Sequence, residues 1–267
     1  IAAKQDPTVI IGTKLKEFGD KNFRSGKNDW LVIEADEWRA AFLNYSPFIS
    51  IVTNIDEEHL DFYKNLLDIK KTFLKFIERT REGGGLILNR DDKNLYSLRS
   101  AIFKIAKARK LKVRWYSTRN RSDLARIKEN LRLFGDHNVS NALATITLAK
   151  ILKIKESTAL GAIRSYRGAW RRMEYRGIWH IAKSVSQKRY KQLAISSALV
   201  YDDYAHHPTE IKATLAAFRE KYPKNKLVCV YQPHQAKRLA KLFDQFKTAF
   251  NEADITLMLP VYEVRGR

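Results

Sequence analysis

The fold is decided by residues 49–89, which read ISIVTNIDEEHLDFYKNLLDIKKTFLKFIERTREGGGLILN. This stretch opens on a short β-branched run, Ile49–Thr53, and closes on a second apolar run, Leu86–Asn89. Between them, Leu66–Ile77 repeats apolar side chains every three or four residues, the period of a helix with one buried face. A strand, a helix and a strand in this order predict a parallel strand pair joined by a crossover helix.

The same alternation continues on both sides of this stretch. The runs that predict strands are Trp30–Glu34, Ile49–Thr53, Leu86–Asn89, Lys112–Tyr116, Leu199–Tyr204, Lys226–Gln232 and Ile255–Leu259. The patterns that predict helices are Leu66–Ile77, Asn138–Leu152, Thr209–Tyr222 and Leu239–Phe250. Together they predict an α/β fold whose parallel sheets are covered by helices. Ligands of such folds bind at the carboxyl ends of the strands.

A segment rich in glycine and arginine, Ser165–Gly177, interrupts the apolar pattern. Breaks of this kind are typical of domain boundaries. We therefore predict two domains, residues 1–166 and residues 167–267. The composition favours packed domains, because 45% of the 267 residues are hydrophobic and 30% are charged, which argues against a disordered chain.

The cysteine content and the lack of long apolar runs bear on the compartment. One cysteine, Cys229, excludes a disulfide framework and favours a reducing environment. No apolar run approaches the roughly 20 residues that cross a bilayer, and the first residues, IAAKQDP, lack the pattern of a signal peptide. We therefore expect a cytoplasmic protein with no membrane contact. Residue 1 is Ile rather than Met, so we also expect the chain to be a fragment.

The chain is strongly basic, with a formal net charge of +21. Residues 104–132 hold eleven Lys and Arg against Asp123 and Glu129. Such a patch attracts polyanions, so a nucleic-acid-binding module is a legitimate hypothesis. The alternative is a solvated basic face, and we favour it because no zinc-ligand spacing, RNP-like string or heptad repeat accompanies the charge. We therefore do not expect nucleic acid as a partner. The sequence makes no prediction of the oligomeric state.

Acidic and histidine side chains follow two of the predicted strands. Glu34, Asp36 and Glu37 come at the end of the first, and the loop after Ile49–Thr53 contains Asn54 and His59. If the two strands are neighbours, Glu34 and His59 project over the same sheet edge. Carboxylates at such an edge hold Mg²⁺ in α/β nucleotide enzymes. The alternatives are acids that cap the next helix and a histidine that is simply solvated.

Two asparagines open the helix predicted after Gly135. Asn138 and Asn141 are three residues apart and therefore share one helix face. Their amides could read the edge of a base or cap the first turn of the helix. Without further context, capping is the safer interpretation.

In the second half, strand ends again carry polar side chains. The first such segment, residues 201–209, reads YDDYAHHPT, and the second, residues 232–238, reads QPHQAKR. Histidine-bearing and acidic strand ends in both halves suggest two faces that close on one substrate.

Six strings of this sequence resemble the Mur ligases, in the family's order. They are EADEWRAAFLNYSP, IVTNIDEEHLDFY, LFGDHNVSNALA, RGAWRRME, DDYAHHPTEIKATL and YQPH, from Glu34 to His234. Within the family, the resemblance is to the ligases that join L-alanine to UDP-N-acetylmuramate. It implies a central ATP-binding α/β domain and a Rossmann-like C-terminal domain, preceded by a domain that binds the UDP-sugar. The family's phosphate loop, G-x-x-G-K-[ST], does not occur in the printed residues, and we expect it upstream of Ile1. By the same resemblance we expect the C-terminal domain to be partial and the fragment to be inactive by itself.

The resemblance implies a reaction that uses ATP and Mg²⁺. The lactyl carboxylate of UDP-N-acetylmuramate is phosphorylated to an acyl phosphate, which the amine of L-alanine then attacks. A related ligase that recycles muropeptides onto the same UDP-sugar is the rival within the family. It tends to lack the QPH string, so residues 232–234 favour the alanine ligase.

The resemblance also implies roles for individual residues, each carried over from a matching string. The metal ligands are Glu34 and His59; the ATP-binding residues are Asn138, Asn141, Arg172 and Asp202; the substrate-binding residues are Asn54, Tyr204, His206, His234 and Arg238; the catalytic residues are Arg172, His206 and His234. Gln235 departs from the family, which usually has Arg after QPH. Recognition of the alanine carboxylate is therefore expected to rest on Arg238.

Overall fold

The computed structural model of the protein describes residues 1–180 and 197–262. Up to residue 166 the elements are β1 (Thr8–Leu15), β2 (Lys21–Arg24), β3 (Leu31–Ile33), β4 (Ile49–Val52), α1 (Leu66–Glu78), β5 (Gly85–Asn89), α2 (Lys93–Ser97), α3 (Arg99–Ala108), β6 (Lys112–Tyr116), α4 (Arg121–Asn130), α5 (Asp136–Ile151) and α6 (Glu156–Ser165). Beyond it they are β7 (Glu174–Trp179), β8 (Ala198–Asp202), α7 (Pro208–Lys221), β9 (Val228–Tyr231), α8 (Ala236–Lys241), α9 (Phe243–Phe246) and β10 (Ile255–Met258). Within the described residues, no helix combines the length and apolar character needed to cross a bilayer.

The first half is built on the parallel sheet β4-β5-β6, with β5 in the middle. Leu86 and Leu88 point to one face of β5 and Ile87 to the other, and all three are 0% exposed. The two leucines pack with α1 and α3, while Ile87 packs with α5 and α6. Helices on both faces bury the central strand completely, which confirms the predicted α/β fold with a parallel sheet.

A second sheet precedes the first and has the order β2-β1-β3. In this sheet β1 pairs antiparallel with β2 and parallel with β3. The sequence does not predict β1 or β2, because the side chains of β2 are largely exposed and Gly12 interrupts β1, so no apolar alternation marks them. Every strand that the sequence does predict is present, with bounds shifted by two residues at most.

The second half differs from the prediction at two points. The segment expected to be a boundary contains the start of β7, which pairs antiparallel with β8, whereas β9 pairs in parallel with β10. Within the described residues β8 and β9 do not pair with each other. The helix expected over Leu239–Phe250 is divided at Leu242 into α8 and α9, because the buried Leu242 does not continue the helix (φ −106°, ψ 18°).

The two halves pack against each other through single inserted side chains. Leu60, in the loop after β4, packs against the core formed by α7, β9 and α9. Phe134, just before α5, lies 5.2 Å from Phe218 of α7 and 6.3 Å from Tyr201 of β8, measured between ring centroids. The candidate site described next lies along this junction.

Candidate functional site

Two carboxylates and one imidazole meet beside the loop that follows β4. Asp36, Glu37 and His59 each offer one ligand atom, and these atoms lie within 4.8 Å of one another. We call these three residues the cation cluster. Their donor set, with two carboxylates, is the chemistry that suits a hard divalent cation such as Mg²⁺ or Mn²⁺. The residues therefore fit the metal that the sequence implies.

The cation cluster is held by local hydrogen bonds and charge pairing. His59 Nε2 lies 3.1 Å from Glu37 Oε1, and the hydroxyl of Tyr63 donates to the backbone carbonyl of Glu37. Burial alone raises the pKa of Glu37, but its hydrogen bonds, led by that from His59, outweigh burial and leave the pKa lowered. For His59, burial lowers the pKa, whereas the nearby carboxylates, led by Glu37, raise it and prevail. Both shifts favour the charged pair.

Glu34 and Asn54 lie outside the cation cluster. Glu34 directly follows β3, and its carboxylate accepts a hydrogen bond of 2.7 Å from the backbone N–H of Gly12 on β1. In the described residues β3, which precedes Glu34, pairs with β1, whereas β4, which precedes His59, pairs with β5. The strands β3 and β4 are therefore not paired neighbours. Asn54 is exposed, and its amide oxygen accepts from the hydroxyl of Thr53. The roles of Glu34 and Asn54 stay predictions.

A second group of side chains gathers where β8 leads into α7. Arg172 Nη1 lies 3.2 Å from Glu210 Oε1, and the same carboxylate lies 3.6 Å from Nδ1 of His206. Tyr204 lies between them, with its ring 5.0 Å from that of His206 and 5.9 Å from the guanidinium of Arg172. The structure thus brings together three of the predicted residues. We call Arg172, Tyr204, His206 and Glu210 the arginine cluster.

The tautomer of His206 follows from its hydrogen bond. Nδ1 lies 3.0 Å from the backbone carbonyl of Tyr204, and a carbonyl can only accept, so Nδ1 carries the proton. Burial is the main cause that lowers the pKa of His206, which favours the neutral ring. Nε2 then keeps a free lone pair, and a neutral imidazole of this kind can accept a proton near neutral pH.

Glu210 is missing from the residues that the sequence predicts. It accepts hydrogen bonds from the backbone N–H groups of His206 and His207, at 3.1 and 3.3 Å, and closes a capping box at the start of α7. Burial raises its pKa, but His206, Arg172 and these N–H groups outweigh burial and leave it lowered. The string HHPTE contains a signal for this residue, since Glu at the third helical position after a cap predicts a capping box.

Of the residues implied for ATP, Arg172 belongs to the arginine cluster, and the other three make separate local contacts or none. Asn138 donates its amide to the carbonyl of Phe134 at 2.9 Å, while Asn141 on the same helix is exposed. Asp202 is paired with Arg171, at 3.3 Å between Oδ2 and Nε. A capping side chain accepts hydrogen bonds from the free N–H groups of the first turn, whereas the amide of Asn138 donates, and no side chain caps the start of α5 in the described residues. Contact of these residues with a nucleotide stays a prediction.

The last two predicted residues, His234 and Arg238, make no hydrogen bond or ion pair with the arginine cluster in the described part of the chain. His234 stacks on Tyr262, with ring centroids 5.4 Å apart. Arg238 is buried on α8 and donates from Nε and Nη2 to Oε1 of Glu58, at 2.8 and 2.7 Å. The edge of its guanidinium formed by Nε and Nη2 is therefore occupied by a carboxylate of the first half. No sequence signal marks this pair, because 180 positions separate its members.

The basic segment 104–132 is partly neutralised by ion pairs. Its pairs with acidic side chains include Lys110 with Glu82, Arg119 with Asp91, Arg126 with Glu156 and Lys128 with Glu220. Lys112 and Arg114 lie on β6, an edge strand, where charged side chains oppose pairing with other chains. These placements favour the solvated basic face.

Two family models match the chain. Residues 20–149 match the Mur ligase middle domain, and residues 188–264 match the Mur ligase, glutamate ligase domain. The predicted boundary between residues 166 and 167 lies in the interval between them and stays a prediction.

Curated relatives match along nearly the whole chain. The UDP-N-acetylmuramate–L-alanine ligase of Desulforapulum autotrophicum is 39% identical, over 96% of this chain and 56% of the relative. The ligase of the same name from Clostridium acetobutylicum is 36% identical, over 98% of this chain and 56% of the relative. The chain thus spans about half the length of the curated relatives it matches.

A solved structure shares the fold. The crystal structure of the UDP-N-acetylmuramate–alanine ligase MurC from Thermotoga maritima matches with a TM-score of 0.69 and 24% identity, over 98% of this chain and 56% of that one. The middle and glutamate ligase domains follow each other here in the order that the six sequence strings indicate. With both domains present and relatives of this similarity along nearly its full length, the chain belongs to the Mur ligase family.

Proposed function

We propose that this chain is part of an ATP-dependent ligase that joins L-alanine to UDP-N-acetylmuramate in the synthesis of peptidoglycan precursors. The observation that carries the proposal is the identity of 35–39% with ligases of that name along nearly the whole chain. The cytoplasm is the compartment we propose, because both nucleotide substrates are made there and the single cysteine, Cys229, favours a reducing environment.

The chemistry of the reaction explains why acidic and basic groups stand at one junction. A carboxylate is a poor electrophile, so amide formation needs its prior conversion to an acyl phosphate. A divalent cation at Asp36, Glu37 and His59 would spread the negative charge of the phosphates during that transfer. Arg172, half-exposed in the arginine cluster, offers a guanidinium that can hold a phosphoryl oxygen once it leaves Glu210.

Attack by the amine requires loss of a proton, and His206 is suited to take it. Its neutral ring presents Nε2 as an acceptor, while the carbonyl of Tyr204 fixes the orientation through Nδ1. Asn138, Asn141 and Asp202 are proposed to contact the nucleotide, and Asn54, Tyr204 and His234 the substrates. The proposed contact of Arg238 with the alanine carboxylate requires Glu58 to release the guanidinium first.

A chimera tests this function. The parts of the Desulforapulum autotrophicum relative that precede and follow the matched region are joined to Ile1 and Arg267 of this chain. Phosphate release is then measured with ATP, Mg²⁺, UDP-N-acetylmuramate and L-alanine. We expect release that depends on each component. A chimera that unfolds cooperatively but releases no phosphate contradicts the proposal.

The same chimera distinguishes the rival within the family. The tripeptide L-alanyl-γ-D-glutamyl-meso-diaminopimelate replaces L-alanine at equal concentration. We expect release with L-alanine and little with the tripeptide. The opposite preference assigns the chain to the muropeptide-recycling ligases.

A further inference from the structure

The loop of residues 54–61, which we call the His59 loop, makes contacts in two directions. On one side His59 reaches Glu37 of the cation cluster, at 3.1 Å. On the other side the neighbouring Glu58 reaches Arg238 of α8, in the second half of the chain. Two consecutive residues therefore connect the candidate cation site with the C-terminal half.

One oxygen atom joins these two contacts. Oε1 of Glu58 accepts from Nε and Nη2 of Arg238, at 2.8 and 2.7 Å, and also from the backbone N–H of His59, at 3.1 Å. The side chain of Arg238 is 8% exposed and that of Glu58 is 20% exposed, so water screens the pair poorly. Displacement of Arg238 therefore changes the support of the His59 backbone directly.

The cavity beside this pair leaves no room for a substrate. It lies between the His59 loop and α8, with a volume of about 20 Å³. That space has room for one water molecule, which could satisfy Nη1 of Arg238, a buried nitrogen without a protein partner among the described residues. In this arrangement Arg238 binds the first half of the chain, not a ligand.

Further contacts reinforce the attachment of the His59 loop. The hydroxyl of Thr209 donates to Asp56 Oδ2 at 2.6 Å, and His207 Nε2 lies 3.2 Å from the backbone carbonyl of Glu57. Lys241 on α8 donates to the backbone carbonyl of Leu60, whose side chain packs into the core of the second half. The loop is thus held by both α7 and α8.

We propose that the Glu58–Arg238 pair is a latch that couples cation binding at Asp36, Glu37 and His59 to docking of the C-terminal half. A cation that fixes His59 also fixes the adjoining Glu58, which favours the docked arrangement. By reciprocity, docking favours cation binding by the same factor. Glu58 is in this view a positioning residue that acts through its neighbour. The inference rests on the cation role of the cluster in the proposed function.

The test measures Mn²⁺ binding to the 267-residue chain by electron paramagnetic resonance. The variant Arg238→Gln distinguishes the latch from a simple charge effect, because the two predict opposite changes in Mn²⁺ affinity. Loss of a nearby positive charge would by itself strengthen cation binding. The latch predicts weaker binding, by about five-fold or more, the lower end of typical coupling factors. Unchanged or tighter Mn²⁺ binding in this variant overturns the proposal.

Glu58→Gln has a matched control in Glu57→Gln. Both variants remove one negative charge from the same loop, but in the described residues the side chain of Glu57 makes no hydrogen bond or ion pair. We expect Glu58→Gln to weaken Mn²⁺ binding several-fold more than Glu57→Gln. Equal effects of the two variants would mean that charge alone acts, and the latch would be wrong.

Hydrogen exchange supplies the reciprocal measurement. In the described part of the chain, residues 236–246 make no hydrogen bond or ion pair with the cation cluster, although several of them line one small cavity with His59. We expect Mn²⁺ to slow their amide exchange in the wild-type chain and not in Glu58→Gln. If Arg238→Gln does not fold, Lys241→Gln removes a weaker contact and should reduce the same protection. Absence of Mn²⁺ binding by the wild-type chain refutes the cation site itself, whereas binding without protection of residues 236–246 refutes the latch alone.

Discussion

Replacement of Glu210 by Ala removes the contacts that hold the start of α7 and the arginine cluster together. The carboxylate accepts two backbone N–H groups, from His206 and His207, and pairs with Arg172. Loss of a helix cap costs about 0.5–2 kcal/mol. Since 34% of the Glu210 side chain is exposed, the pair with Arg172 adds only the ~0–1 kcal/mol typical of solvated pairs.

We therefore expect Glu210→Ala to lower the free energy of unfolding by about 2 kcal/mol. Glu210→Gln should lose about 1 kcal/mol or less, because its amide oxygen still accepts the two N–H groups. The assay is urea unfolding of the 267-residue chain, followed by circular dichroism and tryptophan fluorescence. Both probes must give one transition with an unchanged m-value for the comparison to hold.

Glu220→Ala is the matched control on the same helix. Its side chain is 60% exposed and pairs with Lys128 at 3.2 Å, so we expect a change within about 0.5 kcal/mol. Both substitutions replace Glu by Ala within α7, so their effects on helix propensity are similar. The difference between the two variants therefore reports the contribution of the cap and the arginine cluster to the free energy of unfolding. If Glu210→Ala and Glu220→Ala have the same midpoint, Glu210 does not organise this region and the reasoning fails.

Four further predictions concern the site. In the chimera, Glu34→Gln should lower phosphate release by about ten-fold or more, since it removes the charge of a predicted Mg²⁺ ligand; unaltered release would restrict the metal to the cation cluster. The 267-residue chain alone should bind MgATP weakly in calorimetry, because its printed sequence contains no phosphate-loop string, and micromolar binding would contradict this. In the chimera, Arg238→Lys should raise the KM for alanine far more than the KM for ATP, because lysine cannot grip a carboxylate with two parallel bonds; equal shifts would place the amino acid elsewhere. Burial lowers the pKa of His137 and His206 from 6.5 in the folded chain, so the unfolded chain binds more protons near that pH. The free energy of unfolding should therefore fall as the pH drops from about 7 to 5. His137→Gln should make this fall shallower in urea titrations, and an unchanged pH dependence would contradict the assignment.

The sequence predicts the elements whose burial is regular. Leu86, Ile87 and Leu88 form a short continuous apolar run, which predicts a strand buried on both faces, and in the structure the two faces of β5 pack into two apolar cores. Strand β2 escapes prediction because its side chains are largely exposed and carry no such period. The break between α8 and α9 escapes it because the apolar spacing continues through Leu242 although the backbone does not.

The candidate site is predictable where its residues are close in sequence. Tyr204, His206 and Glu210 belong to one string of the sequence. The structure shows that Glu210 contacts both His206 and Arg172, which comes from a different string. The pairing of Glu58 with Arg238 is different, because it depends on how the halves dock and not on local spacing. A lone Glu in an acidic loop gives no signal of its partner. Side-chain pairs of this kind need the three-dimensional arrangement.

The most direct test of the account identifies the product of the chimera. Purified chimera is incubated with ATP, Mg²⁺, UDP-N-acetylmuramate and isotopically labelled L-alanine, and the nucleotide sugars are separated and analysed by mass spectrometry. We predict UDP-N-acetylmuramate that carries one labelled alanine, formed only with ATP and strongly reduced in His206→Asn. Phosphate release without this product, or no product from a folded chimera, would contradict the assignment of this chain to an L-alanine ligase.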